Sequence, residues 1–156
     1  MDVRTGLIVL FCLIGLNCAL PVKFVDCDSP SGKALIVDIT PCDVQPCALH
    51  IGQSYTVNVT FSSAVQSETS KAYVYGMVAG IPVPFPIPEN DGCKSGVTCP
   101  IQMKQIYHYV ATLPIKPEYP TIKVTVKWEL SDANNQDLFC IKFPLQIVQN
   151  QQQDLR

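Results

Sequence analysis

The chain has 156 residues, 47% of them hydrophobic and only 15% charged, which excludes an intrinsically disordered polymer and suggests one domain with tails. Its net charge of −2 comes from 11 basic and 13 acidic residues with no long run of either sign, so the basic footprint of a nucleic-acid-binding protein is missing. Thirteen prolines against eight glycines argue against long helices and collagen-like repeats.

The N-terminus comes first in chain order. Arg4 precedes an apolar run over 7–16, and Cys18-Ala19 offer small residues at a cleavage point. That is the layout of a secretory signal peptide over 1–19. The run is well short of the roughly 20 apolar residues of a spanning helix, and no later segment is long enough. Asn17 before the cut is not ideal, so cleavage can move by a residue or two. A soluble mature protein, secreted or lumenal, is expected, with one domain over 20–150 and a polar tail over 151–156.

Removing the signal leaves Cys27, Cys42, Cys47, Cys93, Cys99 and Cys140. An even count in an oxidising compartment reads as three disulfides with many possible connectivities. Cys42 with Cys47 and Cys93 with Cys99 are close and enclose turn-forming residues. Local loops there leave Cys27 for Cys140. A zinc site is the rival reading, but the spacings are wrong and His50 and His108 complete no ligand pattern. No metal or other cofactor is expected.

Alternation dominates the next hundred residues. Tyr55, Val57, Val59 and Phe61 share one face of a strand, and Ser54, Thr56, Asn58 and Thr60 the other. Ile122, Val124, Val126, Trp128 and Leu130 alternate with polar residues, and Phe139, Ile141, Phe143, Leu145 and Ile147 form another apolar row. Weaker strands are predicted over 35–39, 71–79 and 105–112. Turn residues separate them, at Ser29-Pro30-Ser31-Gly32, Asn90-Asp91-Gly92 and Asp132-Ala133-Asn134-Asn135. Six or seven short strands, each with a wet and a dry face, predict an all-β, immunoglobulin-like sandwich of antiparallel sheets. Asn58-Val59-Thr60 is the one glycosylation sequon, with Asn58 on the polar face of its strand.

Ile81-Pro82-Val83-Pro84-Phe85-Pro86-Ile87-Pro88 is the unusual segment. Proline donates no N–H, so this is no central strand. It is stiff and extended, with Ile81, Val83, Phe85 and Ile87 able to share a face. Either it is a rigid edge that covers a core, or it is a preorganised apolar lip over a cavity. Catalytic signatures are missing: there is no Gly-x-Ser-x-Gly elbow, no His-Glu-x-x-His and no phosphate-binding glycine loop. An enzyme is not expected.

The proline-alternating block, with Asp91-Gly92-Cys93-Lys94-Ser95-Gly96, Cys99-Pro100-Ile101, the stretch from Gly52 to Phe61, Leu113-Pro114-Ile115, Glu118-Tyr119-Pro120 and Phe139-Cys140, closely resembles the ML lipid-recognition family, in its Niemann-Pick type C sterol-transfer group. The resemblance runs from about Pro21 to Val148. It implies a seven-stranded sandwich whose sheets part to enclose a sterol, with disulfides Cys27–Cys140, Cys42–Cys47 and Cys93–Cys99. It implies a sterol pocket made by Leu49, Tyr55, Val57, Val74, Val78, Val83, Phe85, Pro114, Ile115, Tyr119, Val124, Val126 and Trp128, with Phe85 and Tyr119 flanking the mouth. It implies a carrier of cholesterol and related sterols in the endosome and lysosome lumen. This carrier would act as a monomer, with transient contact with lysosomal membranes and a membrane-embedded Niemann-Pick type C partner. Lys94 is expected near the mouth, where it would steer contact with anionic lipid.

Two departures stand out. Ile141 follows the last cysteine where related vertebrate proteins often carry Trp, which is expected to reshape the inner wall. A second sequon of some relatives is missing at Asn135-Gln136-Asp137, so glycan-based sorting would rest on Asn58. The alternatives are a family carrier of another lipid, such as a glycerolipid or lipid A, and an immunoglobulin-like interaction module that binds no lipid.

Overall fold

The computed structural model describes residues 21–149; the signal peptide expected over 1–19 and the tail over 151–156 lie outside them. Nine strands follow in order: β1 Val25–Asp26, β2 Gly32–Thr40, β3 Cys47–His50, β4 Ser54–Ser63, β5 Lys71–Val78, β6 Ile81–Pro84, β7 Ile106–Pro114, β8 Lys123–Ser131 and β9 Asp137–Val148, with one 3-10 turn at Gly92–Lys94. They form an immunoglobulin-like sandwich of two sheets. The small sheet runs β2-β4-β7, and the large one runs β1-β9-β8-β5-β6 with β3 also on β9. The count exceeds seven because β1, β3 and β6 are only two to four residues long. β1 and β3 share one edge of β9: β1 pairs antiparallel around Ile141 and Lys142, and β3 pairs parallel from Leu145 to Val148. That parallel pairing departs from the all-antiparallel expectation.

Period-two hydropathy becomes the core directly. Tyr55, Val57, Val59 and Phe61 of β4 and Val124, Val126, Trp128 and Leu130 of β8 are buried, and their polar alternates face outward. Two strands break the rule. In β2 the register shifts between Ala34 and Ile36, so the bulge leaves Leu35 and Ile36 both exposed while Val37 and Ile39 point inward. In β9 Leu138, Phe139, Cys140 and Ile141 are all buried. The segment after β1 covers the outer side there: Ser31 N–H donates to the Asp137 carbonyl, and Gly32 lies so close to the Leu138 carbonyl that a Cβ would collide with it.

Three disulfides join Cys27 to Cys140, Cys42 to Cys47 and Cys93 to Cys99. The first spans 113 residues and ties the start of the domain to its last strand. In the chain-entropy account a closure of that length is worth about 4–5 kcal/mol. β5 and β6 form a hairpin through Ala79 and Gly80, both at positive φ, the backbone that a two-residue loop needs. Pro82 and Pro84 are confined to this edge strand, which pairs only with β5.

One end of the sandwich is filled by aromatic rings from both sheets. Tyr109 and Phe61 of the small sheet meet Trp128 and Phe139 of the large one, with ring centroids 5.4–6.0 Å apart. Trp128 Nε1 donates to the Tyr109 hydroxyl at 3.2 Å. Burial pushes the Tyr109 phenol far above its ordinary range, so the pair stays neutral at every physiological pH. Tyr109→Phe leaves the indole N–H buried and unpaired, and urea unfolding is expected to register a loss of about 1–3 kcal/mol.

Asp137 opens β9 on the outer face of the large sheet. Burial raises its carboxyl above the ordinary value, the Ser131 hydroxyl donating at 3.0 Å works against that rise, and Glu129 adds to it while Lys127 opposes it. A raised carboxyl favours the fold in its protonated form. That contribution is complete below the unfolded value of about 3.9 and is lost as pH rises through the folded one. Asp137→Asn is therefore expected to raise the Tm at neutral pH, and the gain should shrink toward zero as pH falls to about 4. An equal gain at both pH values would contradict this account.

Candidate ligand-binding cavity

The other end of the sandwich is open. β8 carries Trp128 at the aromatic end and Val124 four residues earlier, about 13 Å away along the strand. Around Val124 the sheets are not filled. A cavity of about 270 Å³ lies there, lined by Gly76 and Val78 of β5, Val83 and Pro84 of β6, Phe85, Tyr119, Pro120, Ile122, Val124 and Ile147. Except for the Tyr119 hydroxyl, every lining side chain is hydrocarbon. Larger clefts elsewhere, such as one of about 560 Å³ beside Glu68, Lys71, Asp91 and Asp132, carry charged groups and suit no apolar ligand.

Phe85 and Tyr119 meet edge to face across this cavity, with centroids 5.1 Å apart and planes at 76°. Phe85 is held by its own N–H, which donates to the Val74 carbonyl at 2.9 Å, so the proline block docks on β5 just past the end of β6. Tyr119 sits on a turn closed by its N–H to the Lys116 carbonyl. Its hydroxyl is buried without a partner, and desolvation followed by the nearby Glu118 raises the phenol further. The mouth thus holds two rings bound to each other by packing and quadrupole attraction alone.

Of the residues assigned to the pocket, Val78, Val83, Phe85, Tyr119 and Val124 line the cavity. Leu49, Tyr55, Val57, Val74, Ile115, Val126 and Trp128 are buried in the core beside or beyond it, and Pro114 ends β7 half-buried. The Tyr55 hydroxyl is occupied by the His50 N–H at 2.7 Å, as the Trp128 N–H is by Tyr109. Gly76, Pro84, Pro120, Ile122 and Ile147 join the lining without having been singled out. Ile122 and Ile147 already stood on apolar rows, whereas Gly76 has no side chain for hydropathy to register.

Ile81, Val83, Phe85 and Ile87 do not share one buried face. Phe85 is buried, and Ile81 and Val83 are 64% and 47% exposed, so apolar surface surrounds the mouth. Ile141 pairs with Trp128 across β8 and β9, so the departure from Trp falls at the aromatic end and not on the cavity lining. Lys94 is not near the mouth. Asp91 bridges Lys71 at the start of β5, about 16 Å along the strand from Gly76. Lys123, between Ile122 and Val124, and Lys116, three residues before Tyr119, are instead the lysines nearest in sequence to the lining residues. Asn58 lies on the outer face of the small sheet between Asp38 and Val110, half-buried, with its Oδ1 unpaired. No helix among the described residues is long and apolar enough to cross a membrane.

Residues 21–147 match the model of the ML domain family. The chain is 63% identical over 148 residues to "NPC intracellular cholesterol transporter 2" of Danio rerio, covering 95% of this chain and 99% of that protein. It is 56% identical over 144 residues to the Bos taurus protein of the same name, covering 90% and 97%. Among solved structures, a Niemann-Pick type C2 protein from the Japanese carpenter ant superposes with a TM-score of 0.76 at 28% identity, covering 81% of this chain and 99% of that one. Shrinking the Phe85 ring should loosen the contact described above: Phe85→Leu is expected to raise the solvent accessibility of Tyr119, read as faster iodination of that ring located by peptide mass spectrometry.

Proposed function

This chain belongs to the ML domain family, and from that premise we propose that it is a cholesterol-binding and transfer protein that carries unesterified sterol out of late endosomes and lysosomes. The observation that carries this reading is the apolar cavity at the open end of the sandwich, closed only by Phe85 and Tyr119. The identity of 63% to a cholesterol transporter over nearly the whole of both chains supports it. The mechanism is transfer and not catalysis. A sterol needs an apolar shell in transit, and at roughly 25 cal/mol per Å² the apolar area it buries offsets the freedom lost on binding. A rigid ring system loses less freedom than an acyl chain does.

The cavity volume of about 270 Å³ falls just below the range of about 300–1,000 Å³ usual for ligand pockets. Loading therefore swings the Phe85 and Tyr119 rings outward and lets the open end widen. With a lining that is hydrocarbon apart from the Tyr119 hydroxyl at the mouth, a ligand hydroxyl deep inside would go unpaired at a cost of about 1–3 kcal/mol. The sterol hydroxyl stays at the mouth and the branched tail goes in. Exposed Ile81 and Val83 beside that mouth suit a brief seat on a membrane, with Lys116 and Lys123 as cations toward anionic lipid. A membrane-embedded Niemann-Pick type C protein takes the cargo, the lumenal chain works as a monomer, and Asn58 carries the sorting glycan.

Sterol transfer between liposomes, with native mass spectrometry of the loaded chain, tests the reading. A bare chain that transfers no sterol would reject it, and turnover of a sterol ester would replace it with an enzyme. Phe85→Ala is expected to weaken sterol binding while the protein still folds and is secreted. A residue of plain core would cost about 3–5 kcal/mol of stability and leave affinity per folded molecule unchanged. In competition against a fluorescent sterol, a sulfate on the ring hydroxyl should be tolerated, and hydroxylation of the tail should weaken binding at least about tenfold. The reverse ranking would invert the proposed orientation.

A further inference from the structure

Gly76 is the one glycine of β5, and it stands on the strand's buried row. The strand's inward row reads Ala72, Val74, Gly76, and a glycine inside a strand weakens it, because it packs nothing and loses more freedom on folding. Two structural reasons normally keep a glycine in such a place, and neither applies. Its backbone is ordinary: Gly52, Gly80 and Gly96 are the glycines at positive φ, and Gly76 is not among them. Nor does another stretch of backbone press on it. At Gly32 and Gly92 an added Cβ would collide with backbone or buried side chains, but at Gly76 it would meet only Val124 Cγ2 at 3.3 Å and Phe85 Cδ2 at 3.6 Å. The first contact is tighter than an ordinary one, so Val124 has to shift by a few tenths of an ångström, but both neighbours are side-chain tips that border the cavity and not backbone.

What Gly76 does have is position. It lies between Val83 of β6 and Val126 of β8 in the ladder, on the inward face, and its backbone is part of the cavity wall. Every other strand position on that wall carries a side chain. We infer that Gly76 sets the width of the cavity, so that bare backbone at this point accepts the flat face of a fused-ring ligand between Val124 and Phe85. A methyl there would stand about 1.5 Å proud of the wall. A rigid ring plate cannot bend round such a knob. The inference rests on the sterol reading above and names the residue that selects for width within it.

The experiment compares wild type, Gly76→Ala and Gly76→Ala/Val124→Ala for fluorescent-sterol affinity and Tm. Gly76→Ala is expected to leave the Tm close to that of wild type, since the freedom alanine removes from the unfolded chain offsets the small shift it asks of Val124. It should lower sterol affinity at least about tenfold, the range for one carbon too many in a hydrophobic pocket. Val124→Ala in that background should restore most of the affinity by returning the lost width, even though it removes packing. Affinity unchanged in Gly76→Ala overturns the inference. So does affinity that falls in step with Tm and is not restored by Val124→Ala, because the glycine is then a packing residue. In both of those cases wild type still binds sterol and the functional reading stands. A wild-type chain that binds none removes both.

Discussion

Two sheets with apolar inner faces have to be filled along their whole length, and this chain packs one end with its own aromatic rings and leaves a cavity toward the other. Tyr109, Phe61, Trp128 and Phe139 interlock across the gap between the sheets, and the Trp128 N–H finds its acceptor inside that cluster. The rest depends on this. Because the plug is large and its indole N–H is paired inside it, the sheets keep their spacing there without help from the other end. The open end can then be lined by Gly76, valines and isoleucines without the domain losing its core.

The edges follow the same division. β9 is the longest strand and the hub of the large sheet, pairing with β8 on one side and with β1 and β3 on the other. Cys27–Cys140 fixes β1 to it, and Cys42–Cys47 tightens the approach to β3. The opposite edge is β6, four residues long, with two prolines that donate nothing to the ladder. A strand tied by so few hydrogen bonds gives way more easily than β9, and it is the strand that leads into Phe85. Two of the three disulfides thus brace the β9 edge, and the mouth lies on the edge of the short, proline-bearing strand.

Polar groups mark the same boundary. Tyr55 and Trp128 make their hydrogen bonds, from the His50 N–H and to the Tyr109 hydroxyl, in the core and off the cavity lining. Tyr119, at the mouth, has a hydroxyl with no partner. An apolar passenger with one polar end is the cargo that such a distribution suits, and its polar end belongs outside.

Sequence alone determined the sandwich, the strands β4, β8 and β9 and the inward rows on them. Side chains alternate across a strand with a period of two, and burial follows directly from that period. The bulge at Leu35, the full burial of 138–141 and the parallel β3–β9 pairing depend on which segments lie across them, and no local pattern encodes that. Val78, Val83, Phe85, Tyr119 and Val124 were legible as lining residues through the family motif they belong to. The motif could not separate them from Leu49, Val57 or Trp128, because a buried valine in a filled core and one on a cavity wall have the same hydropathy. Lys94 falls far from the mouth because the chain after Phe85 runs back along β5 to Lys71, a course that no local pattern encodes. Gly76 was invisible for the simplest reason. It contributes the absence of atoms, and only tertiary structure decides whether an absent side chain is an unfilled space or a surface against which a ligand can lie.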